Sequence, residues 1–308
     1  MNNAISIKNI KKTYPKTGIL ALEDFSLEIA DGELFGLIGP DGAGKTTLFR
    51  ILTTLILPDF GTAKVAGFDI IKQLWDIRKI VGYMPGKFSL YQDLTVEENL
   101  RFFATVFNTS VEANYDLIED IYVQLQPFKN RRAGKLSGGM KQKLALCCAL
   151  IHQPRVLFLD EPTTGVDPVS RKEFWDMLDQ LKRKGISILV STPYMDEAAR
   201  CDRIALLQKG QVLDVDTYEG ILLKNQKPML ALRSAHMFKL LTDLRRFPAT
   251  ERCYSFGSVH HLVLKAGYPY RENELMDYLQ NLGHEDIVCQ KIKAEIEDVF
   301  IDLMSGVA

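Results

Sequence analysis

The chain has 308 residues, of which 46% are hydrophobic and 25% are charged, and its formal net charge is −1. This length exceeds the usual size of one domain, about 100–200 residues, and predicts a large core domain with a smaller appendage. A near-neutral chain has no global field that would attract nucleic acid or an anionic membrane, so no nucleic-acid partner is expected.

Two further features bear on where such a chain works. The sequence has no secretory signal and no stretch that approaches the roughly 18–20 apolar residues needed to span a bilayer, so the chain alone is not expected to form a pore. Its five cysteines are scattered without a CxxC pair, which predicts reduced thiols in the cytosol.

Hydrophobic periodicity predicts strands alternating with helices in the first two thirds of the chain. The predicted elements are strands over 4–7, 20–29 and 33–38, helices over 45–52, 96–107, 111–125 and 138–151, a strand over 155–160, a helix over 171–184 and a strand over 186–190. The strand, helix, strand order in the last part indicates parallel pairing. The middle block is predicted to be helical.

A polar segment that ends in Pro228 separates this part from the rest, so the predicted domains are 1–224 and 225–308. Beyond the boundary the predicted elements are a strand over 229–233, a helix over 235–247, strands over 252–256 and 259–265, a helix over 272–282, a strand over 286–292 and a helix over 295–304. This order matches the split βαβ, ferredoxin-like arrangement of a small α+β domain.

Residues 39–46 fit the pattern G-x-x-x-x-G-K-[ST] and lie between a predicted buried strand and a predicted helix, as a phosphate-binding loop requires. Glycines allow the backbone to wrap a phosphate, so that amide N–H groups and the positive helix end face the anion. Lys45 is predicted to contact the β- and γ-phosphates of ATP, Thr46 to offer a hydroxyl to Mg²⁺, and Thr47 to support the α-phosphate side. The predicted nucleotide-binding residues are Gly39, Pro40, Asp41, Gly42, Ala43, Gly44, Lys45, Thr46 and Thr47.

A second candidate constellation is the acid pair Asp160 and Glu161, which ends an apolar strand. One carboxylate can hold Mg²⁺ through bound water while the next activates the attacking water. We therefore predict that Asp160 is a metal and cofactor residue and that Glu161 is the catalytic base.

The segment 136–140 reads LSGGM, and the segment 160–168 reads DEPTTGVDP. The order of phosphate loop, LSGG and DEPTTGxDP resembles the ABC ATPase family over roughly residues 1–223. The resemblance implies an α/β P-loop NTPase fold with a RecA-like core, an antiparallel β subdomain and a helical subdomain at about 86–151. It also implies that Ser137 and Gly139 grip the γ-phosphate held by a second ATP-binding subunit. Taken alone, LSGGM is more typical of a helix N-cap with flexible glycines.

Two further positions match the family pattern. Tyr14 precedes Pro15 and corresponds to the aromatic residue that stacks on adenine, although a surface tyrosine in a turn is the alternative. Asp167 corresponds to the loop that crosses the dimer interface, and it is also a suitable N-cap for the helix that follows.

Two positions depart from the family pattern: Gly86 stands where glutamine is expected, and Pro193 stands where the switch histidine is expected. Neither residue offers a side-chain donor. One interpretation is drift with activity intact. The interpretation we favour is asymmetry, in which this chain binds ATP but hydrolyses it poorly while its LSGGM segment completes a site on a different subunit, giving a heterodimer. A non-catalytic assembly subunit is a third interpretation.

Residues 87–100 and 295–304 resemble the daunorubicin-resistance-like exporters, which drive separate permeases of the ABC-2 type. The resemblance implies that Phe88, Leu90 and Tyr91 belong to a groove for a coupling helix of the permease; packing inside the helical subdomain is the alternative. It places the chain as a peripheral protein on the cytoplasmic face of the plasma (inner) membrane. Soluble ABC ATPases of DNA maintenance or translation fit less well, because the chain has no coiled-coil insertion and only one cassette.

Overall fold

The structure is a computed structural model that describes residues 3–224, 226–265, 267–268 and 271–305. Its internal contacts divide the chain into two compact units, Met1–Tyr218 and Glu219–Ala308. The division falls at the start of the short helix α7, Tyr218–Lys224, whereas the predicted boundary lies at the end of that helix. Among the described residues, no helix combines the length and apolar character needed to cross a bilayer.

The first unit is built on a six-stranded sheet. Its strands are β3 Leu34–Ile38, β6 Val81–Met84, β7 Val156–Asp160, β8 Ser187–Thr192, β9 Arg203–Gln208 and β10 Gln211–Asp216. They lie in the order β10-β9-β3-β8-β7-β6, and all neighbours are parallel except the antiparallel edge strand β10. Every residue of β3, β7 and β8 is buried, as expected for parallel strands that are covered on both faces.

A second, antiparallel sheet covers part of this core. Its strands are β1 Asn3–Tyr14, β2 Ile19–Ala30, β4 Phe60–Val65 and β5 Phe68–Asp69, in the order β2-β1-β4-β5. The strand predicted over 4–7 is therefore only part of a twelve-residue strand. Apolar side chains of this sheet, such as Ile7 and Phe25, share one buried cluster with Phe35 of β3.

Six helices complete the first unit up to β8: α1 Lys45–Leu52, α2 Leu74–Ile80, α3 Val96–Val106, α4 Tyr115–Leu125, α5 Gly138–Leu150 and α6 Pro168–Arg183. Helix α3 begins with a capping box between Thr95 and Glu98. The helix predicted over 111–125 is divided, because a 3₁₀ turn at Glu112–Asn114 precedes α4. Helices α3 and α4 both pack on α5, which confirms the predicted helical block.

The second unit contains β11 Met229–Arg233, α8 Met237–Arg246, β12 Thr250–Phe256, β13 Val259–Leu264, α9 Glu272–Asn281, β14 Val288–Ile292 and α10 Ile296–Ser305. Its strands form an antiparallel sheet in the order β12-β13-β11-β14. Each half of this unit is a strand, a helix and a second strand, and the strands of the two halves alternate in the sheet. This is the predicted ferredoxin-like arrangement. Leu230 and Leu262 of the sheet pack with Leu240 and Leu279 of the helices in one core.

A buried polar network joins α10 to this sheet. Asp298 accepts a hydrogen bond from the Tyr254 hydroxyl at 2.7 Å, and its Oδ1 lies 2.7 Å from Nδ1 of His261. Its other oxygen accepts from the Glu295 amide at 2.8 Å. Burial, followed by the bond to Asp298, raises the pKa of Tyr254, so the phenol keeps its proton and remains a donor.

We expect Asp298→Ala to lower the free energy of unfolding by about 2–4 kcal/mol, because the buried His261 and the half-buried Tyr254 would lose their acceptor. Chemical denaturation of the full chain measures this difference. The matched control is Asp277→Ala, which removes an exposed carboxylate of α9 and should change stability by less than about 0.5 kcal/mol. Equal stability of the two variants would show that the network contributes nothing.

Candidate nucleotide-binding site

A cleft of about 630 Å³ opens beside the carboxyl ends of β3, β6 and β7. The predicted phosphate loop lines it over residues 41–47, together with Tyr14, Asp160 and Glu161. The structure therefore brings most of the predicted site residues to one place. Ser137 and Gly139 are not among the residues that line this cleft.

Glycine is required at two positions of the phosphate loop. A Cβ added to Gly39 would collide with the carbonyl oxygen of Leu207. Gly44 has a φ of +101°, and a Cβ there would lie 2.5 Å from the carbonyl oxygen of Ala21. The loop can thus wrap closely around an anion at the N-terminus of α1 only because these residues lack side chains.

Lys45 is almost fully buried at the base of the loop, with 3% of its surface exposed. Its ammonium group donates to the carbonyl oxygens of Gly39 at 2.7 Å and Pro40 at 3.1 Å. It also lies 3.1 Å from Oε1 of Glu161. Because a buried cation needs partners, these three oxygens hold the charge at the site where a phosphate would be received.

The two acids at the end of β7 are fixed by the neighbouring strand β8. Ser191 donates its hydroxyl to Oδ1 of the buried Asp160 at 2.8 Å. The Glu161 amide donates to both the hydroxyl and the carbonyl oxygen of Ser191, each at 3.1 Å. Glu161 has a left-handed φ of +50°, an uncommon conformation for a non-glycine residue that turns the chain sharply after the strand. Ser191 was not predicted from the sequence. It is a small polar residue that lies opposite Asp160 in the pairing of β7 with β8.

Tyr14 lies at the mouth of the cleft beside Ile19. Its hydroxyl is 3.2 Å from Oγ1 of Thr47 at the start of α1. This contact holds the aromatic ring next to the phosphate loop, a position compatible with the predicted contact to a base.

Both departures from the family pattern lie near the acid pair in the chain's own fold. A Cβ built on Gly86 would stand 3.0 Å from the carbonyl oxygen of Asp160 and 3.9 Å from Cβ of Glu161. The backbone therefore reaches the acids without presenting a side chain. Pro193 directly follows Thr192, the last residue of β8, and it has no donor to offer.

Tyr83 is a half-buried phenol of the same cleft that the sequence did not indicate. Burial, followed by the negative charge of Asp160, raises the pKa of Tyr83 to about 12. The hydroxyl consequently stays protonated at neutral pH. Tyr83 and Pro85 also line the groove described below.

The LSGGM segment forms the start of α5. Ser137 is the N-cap, and its hydroxyl accepts from the Met140 amide at 3.4 Å. A Cβ on Gly139 would meet the Ser170 hydroxyl of α6 at 2.7 Å. Asp167 caps α6 by accepting from the Ser170 amide at 3.0 Å. Ser137 and Asp167 are therefore both helix N-caps, which was the alternative that the sequence left open beside a role at a subunit interface. The starts of α5 and α6 pack against each other.

The donor set fits a magnesium nucleotide. The phosphate loop offers backbone amides and one ammonium group, while the Thr46 hydroxyl and the Asp160 carboxylate are the oxygen ligands that Mg²⁺ prefers. Glu161 stands beside Lys45 and is partly exposed to the cleft. Such an arrangement can bind a polyphosphate and place a base beside its terminal group.

An apolar groove of about 410 Å³ lies between β6 and the helical block. Phe88 and Leu90 line it, together with Phe103 and Phe107. Tyr91 does not line the groove; it is exposed and packs edge-on against Phe102 with ring centroids 4.8 Å apart.

We expect Ser191→Ala to raise the Mg²⁺ concentration needed for half-maximal ATP turnover by about tenfold, because Asp160 loses the donor that orients it. Titration of Mg²⁺ at fixed ATP measures this effect. Ser89→Ala, at an exposed serine outside the cleft, is the matched control and should leave the titration unchanged. Coincident curves for the two variants would remove Ser191 from the site.

Residues 22–164 match the family model described as ABC transporter. The chain is 39% identical over 311 residues to the probable multidrug ABC transporter ATP-binding protein YbhF of Escherichia coli K12. The aligned region covers 99% of this chain and 53% of the relative. The chain thus spans about half the length of that relative.

Two further relatives match about two thirds of the chain. The doxorubicin resistance ATP-binding protein DrrA of Mycobacterium tuberculosis is 39% identical, with 68% of this chain and 64% of the relative covered. The Nod factor export ATP-binding protein I of Burkholderia lata is 38% identical, with 67% and 68% covered.

Solved structures confirm the predicted fold class. The ATP-binding cassette MJ0796, solved as a dimer bound to ADP and Pi, has a TM-score of 0.62 and 26% identity over 69% of this chain and 98% of its own. The cbiO1 protein from Clostridium perfringens has a TM-score of 0.65 and 23% identity over 73% of this chain and 92% of its own.

Proposed function

The chain belongs to the family of ABC transporter ATP-binding proteins, and from that premise we propose that it is the ATP-binding subunit of an ABC-2-type exporter. In this role it binds ATP with Mg²⁺ and hydrolyses it at an interface between two ATP-binding subunits. The closing of that interface moves a separate permease. The named multidrug, doxorubicin and Nod factor relatives support an export function.

The observation that carries the proposal is the contact between Lys45 and Glu161 inside the cleft. The Lys45 ammonium can neutralise phosphate charge, and the Glu161 carboxylate can accept a proton from water. Nζ of Lys45 lies 3.1 Å from Oε1 of Glu161. Few other functions need a buried ammonium group and a carboxylate where a glycine-rich loop meets the N-terminus of a helix.

The roles of the chain's own residues follow from this geometry. Lys45 exchanges its carbonyl partners for phosphate oxygens, and the released Glu161 carboxylate becomes free to accept the proton of the attacking water. Thr46 and, through bound water, Asp160 would hold Mg²⁺, and Ser191 orients the Asp160 carboxylate. When bound, Mg²⁺ supplies charge neutralisation at the phosphates.

The proposed site is catalytically weak when it stands alone. Gly86 and Pro193 remove two donors that would position the attacking water and the γ-phosphate. Loss of one positioned contact commonly costs about 10²–10³ in rate. We therefore propose a heterodimer, in which Ser137 and Gly139 complete a competent site on a different subunit while this chain retains its ATP.

The groove lined by Phe88 and Leu90 is the proposed seat of a coupling helix of the permease. Its apolar walls suit an amphipathic helix, which buries one apolar face in such a groove. The exposed Tyr91 would then contact the permease at the rim. These contacts would hold the chain at the cytoplasmic face of the plasma (inner) membrane as a peripheral subunit.

Steady-state turnover of the purified chain at saturating ATP tests the proposal. We expect a rate below about 0.05 s⁻¹ for the chain alone, compared with about 1–10 s⁻¹ for an ordinary transporter ATPase. The rate should rise when the second ATP-binding subunit that co-purifies with it is added. Failure to bind ATP would reject the function, and an ordinary rate from the chain alone would reject the asymmetry.

A further inference from the structure

Glu197 is a buried carboxylate to which the proposed chemistry gives no role. It lies in the 3₁₀ segment Met195–Arg200 that follows β8, and 3% of its surface is exposed. A carboxylate in such a position is costly unless its oxygens are hydrogen-bonded. Here both oxygens are occupied.

Three donors surround this carboxylate. The Thr163 hydroxyl donates to Oε1 at 2.8 Å, and the Thr192 hydroxyl donates to Oε2 at 2.5 Å. The Nε of Arg171 lies 3.2 Å from Oε1. Both hydroxyls are themselves buried, with 1% of Thr163 and none of Thr192 exposed.

Each donor belongs to a different segment of the nucleotide site. Thr163 lies in the turn that follows Glu161, and Arg171 lies in the first turns of α6, the helix capped by Asp167. Thr192 ends β8 immediately before Pro193, and its carbonyl oxygen accepts from the Gly39 amide at 3.4 Å. One side chain is therefore bonded to the catalytic turn, to the helix after the interface loop and to the strand that supports the phosphate loop.

The Arg171 side chain strengthens this arrangement. Its guanidinium also pairs with Asp196 at 2.9 Å and lies 4.4 Å from the centroid of the Tyr194 ring. A planar guanidinium with several directional partners has little freedom to rotate. The segment after Pro193 is thereby tied to α6 by directional contacts, whereas apolar packing would allow small shifts.

We propose that Glu197 is a positioning residue that holds the turn of Glu161, the start of α6 and the end of β8 in their working geometry. Pro193, the residue after β8, has no donor with which to link these segments. Glu197 fixes them from behind the cleft. The effect of Glu197 on ATP turnover rests on the proposed ATP hydrolysis. Its effect on the local order of these segments does not.

The test compares the chain with its Glu197→Gln variant, which keeps the shape of the side chain and removes its charge. We expect amide hydrogen exchange to become about tenfold faster in residues 163–167 and at Thr192 and Tyr194, with no change in the second unit. ATP turnover should fall about tenfold or more, with the Kd for MgATP within about twofold of the parent and the Tm within about 2 °C. Thr192→Val removes one donor to Glu197 and also the acceptor of the Tyr194 amide, so its diagnostic readout is faster exchange in residues 163–167.

Glu119→Gln, at an exposed glutamate of α4, is the matched control and should alter neither exchange nor turnover. Unchanged exchange in Glu197→Gln and Thr192→Val would overturn the inference. Parallel losses of Tm, ATP affinity and turnover would also overturn it, since they would indicate a general role in folding. ATP turnover of the parent chain is measured first and tests the proposed function. Amide hydrogen exchange does not require ATP hydrolysis, so it tests the role of Glu197 independently.

Discussion

The double variant Gly86→Gln/Pro193→His is expected to hydrolyse ATP about 10²-fold faster than the parent chain, because it regains two donors at the acid pair. Gly86 does not have a positive φ, so its backbone accepts a side chain. A Cβ there would stand 3.0 Å from the Asp160 carbonyl oxygen, which requires a shift of only a few tenths of an ångström. An added amide at that position would point at the space beside Glu161.

Steady-state turnover measures this gain, and the nucleotide affinity should change by less than about threefold. Each single variant should recover only part of the rate, because the two donors act on the same attacking group. Ser89→Gln, near Gly86 but outside the cleft, controls for the addition of an amide. A double variant no faster than the parent would mean that weak turnover has another cause.

Lys45→Met is expected to weaken the binding of MgATP by about 10²-fold or more. Methionine fills the buried volume of the lysine stem but carries no charge, so the phosphates lose the ammonium group at the base of the loop. Glu161 also loses its partner at 3.1 Å, which leaves one more negative charge beside the γ-phosphate.

Equilibrium binding of a fluorescent ATP analogue, with unlabelled ATP as competitor, measures the affinity. Lys12→Met is the matched control, because Lys12 is also mostly buried and ion-paired, with Asp59 at 2.8 Å, yet it lies outside the cleft. The control should bind ATP like the parent. Equal affinity of the Lys45 and Lys12 variants would contradict the assignment of the phosphate loop.

Three strands of the central sheet, β3, β7 and β8, were predictable because parallel strands buried on both faces appear as continuous apolar runs. The other three, β6, β9 and β10, were not predicted. The antiparallel sheet was less predictable. Strand β1 has register shifts and a left-handed Asn9, so its alternation is interrupted after residue 7. The short helix α2, Leu74–Ile80, was missed, because seven residues are too few for a clear helical period.

The phosphate loop was predictable in full because its function depends on contiguous residues and a local context of strand and helix. Ser191 and Glu197 were not, since their roles depend on partners far away in the sequence. Ser191 meets Asp160 only through the register of β7 and β8, and Glu197 meets Thr163 across 34 positions. Local pattern carries no information about such pairs.

The packing of the LSGGM segment was also hidden from the sequence. Gly139 has no room for a Cβ because the Ser170 hydroxyl would lie 2.7 Å away. The motif alone suggested a flexible glycine at a helix N-cap, and the family resemblance implied a glycine that contacts a phosphate. The structure adds a second reason for glycine, which is the close approach of α6.

The central claim is that this chain binds ATP at its own phosphate loop and retains it. A single-turnover measurement tests this most directly: radiolabelled ATP is bound to excess purified chain with Mg²⁺, and its conversion to ADP is followed in time. We expect bound ATP to persist with a half-life of about 15 seconds or longer, which corresponds to a rate below about 0.05 s⁻¹, compared with about 1–10 s⁻¹ for an ordinary transporter ATPase. Complete conversion within about one second would contradict it.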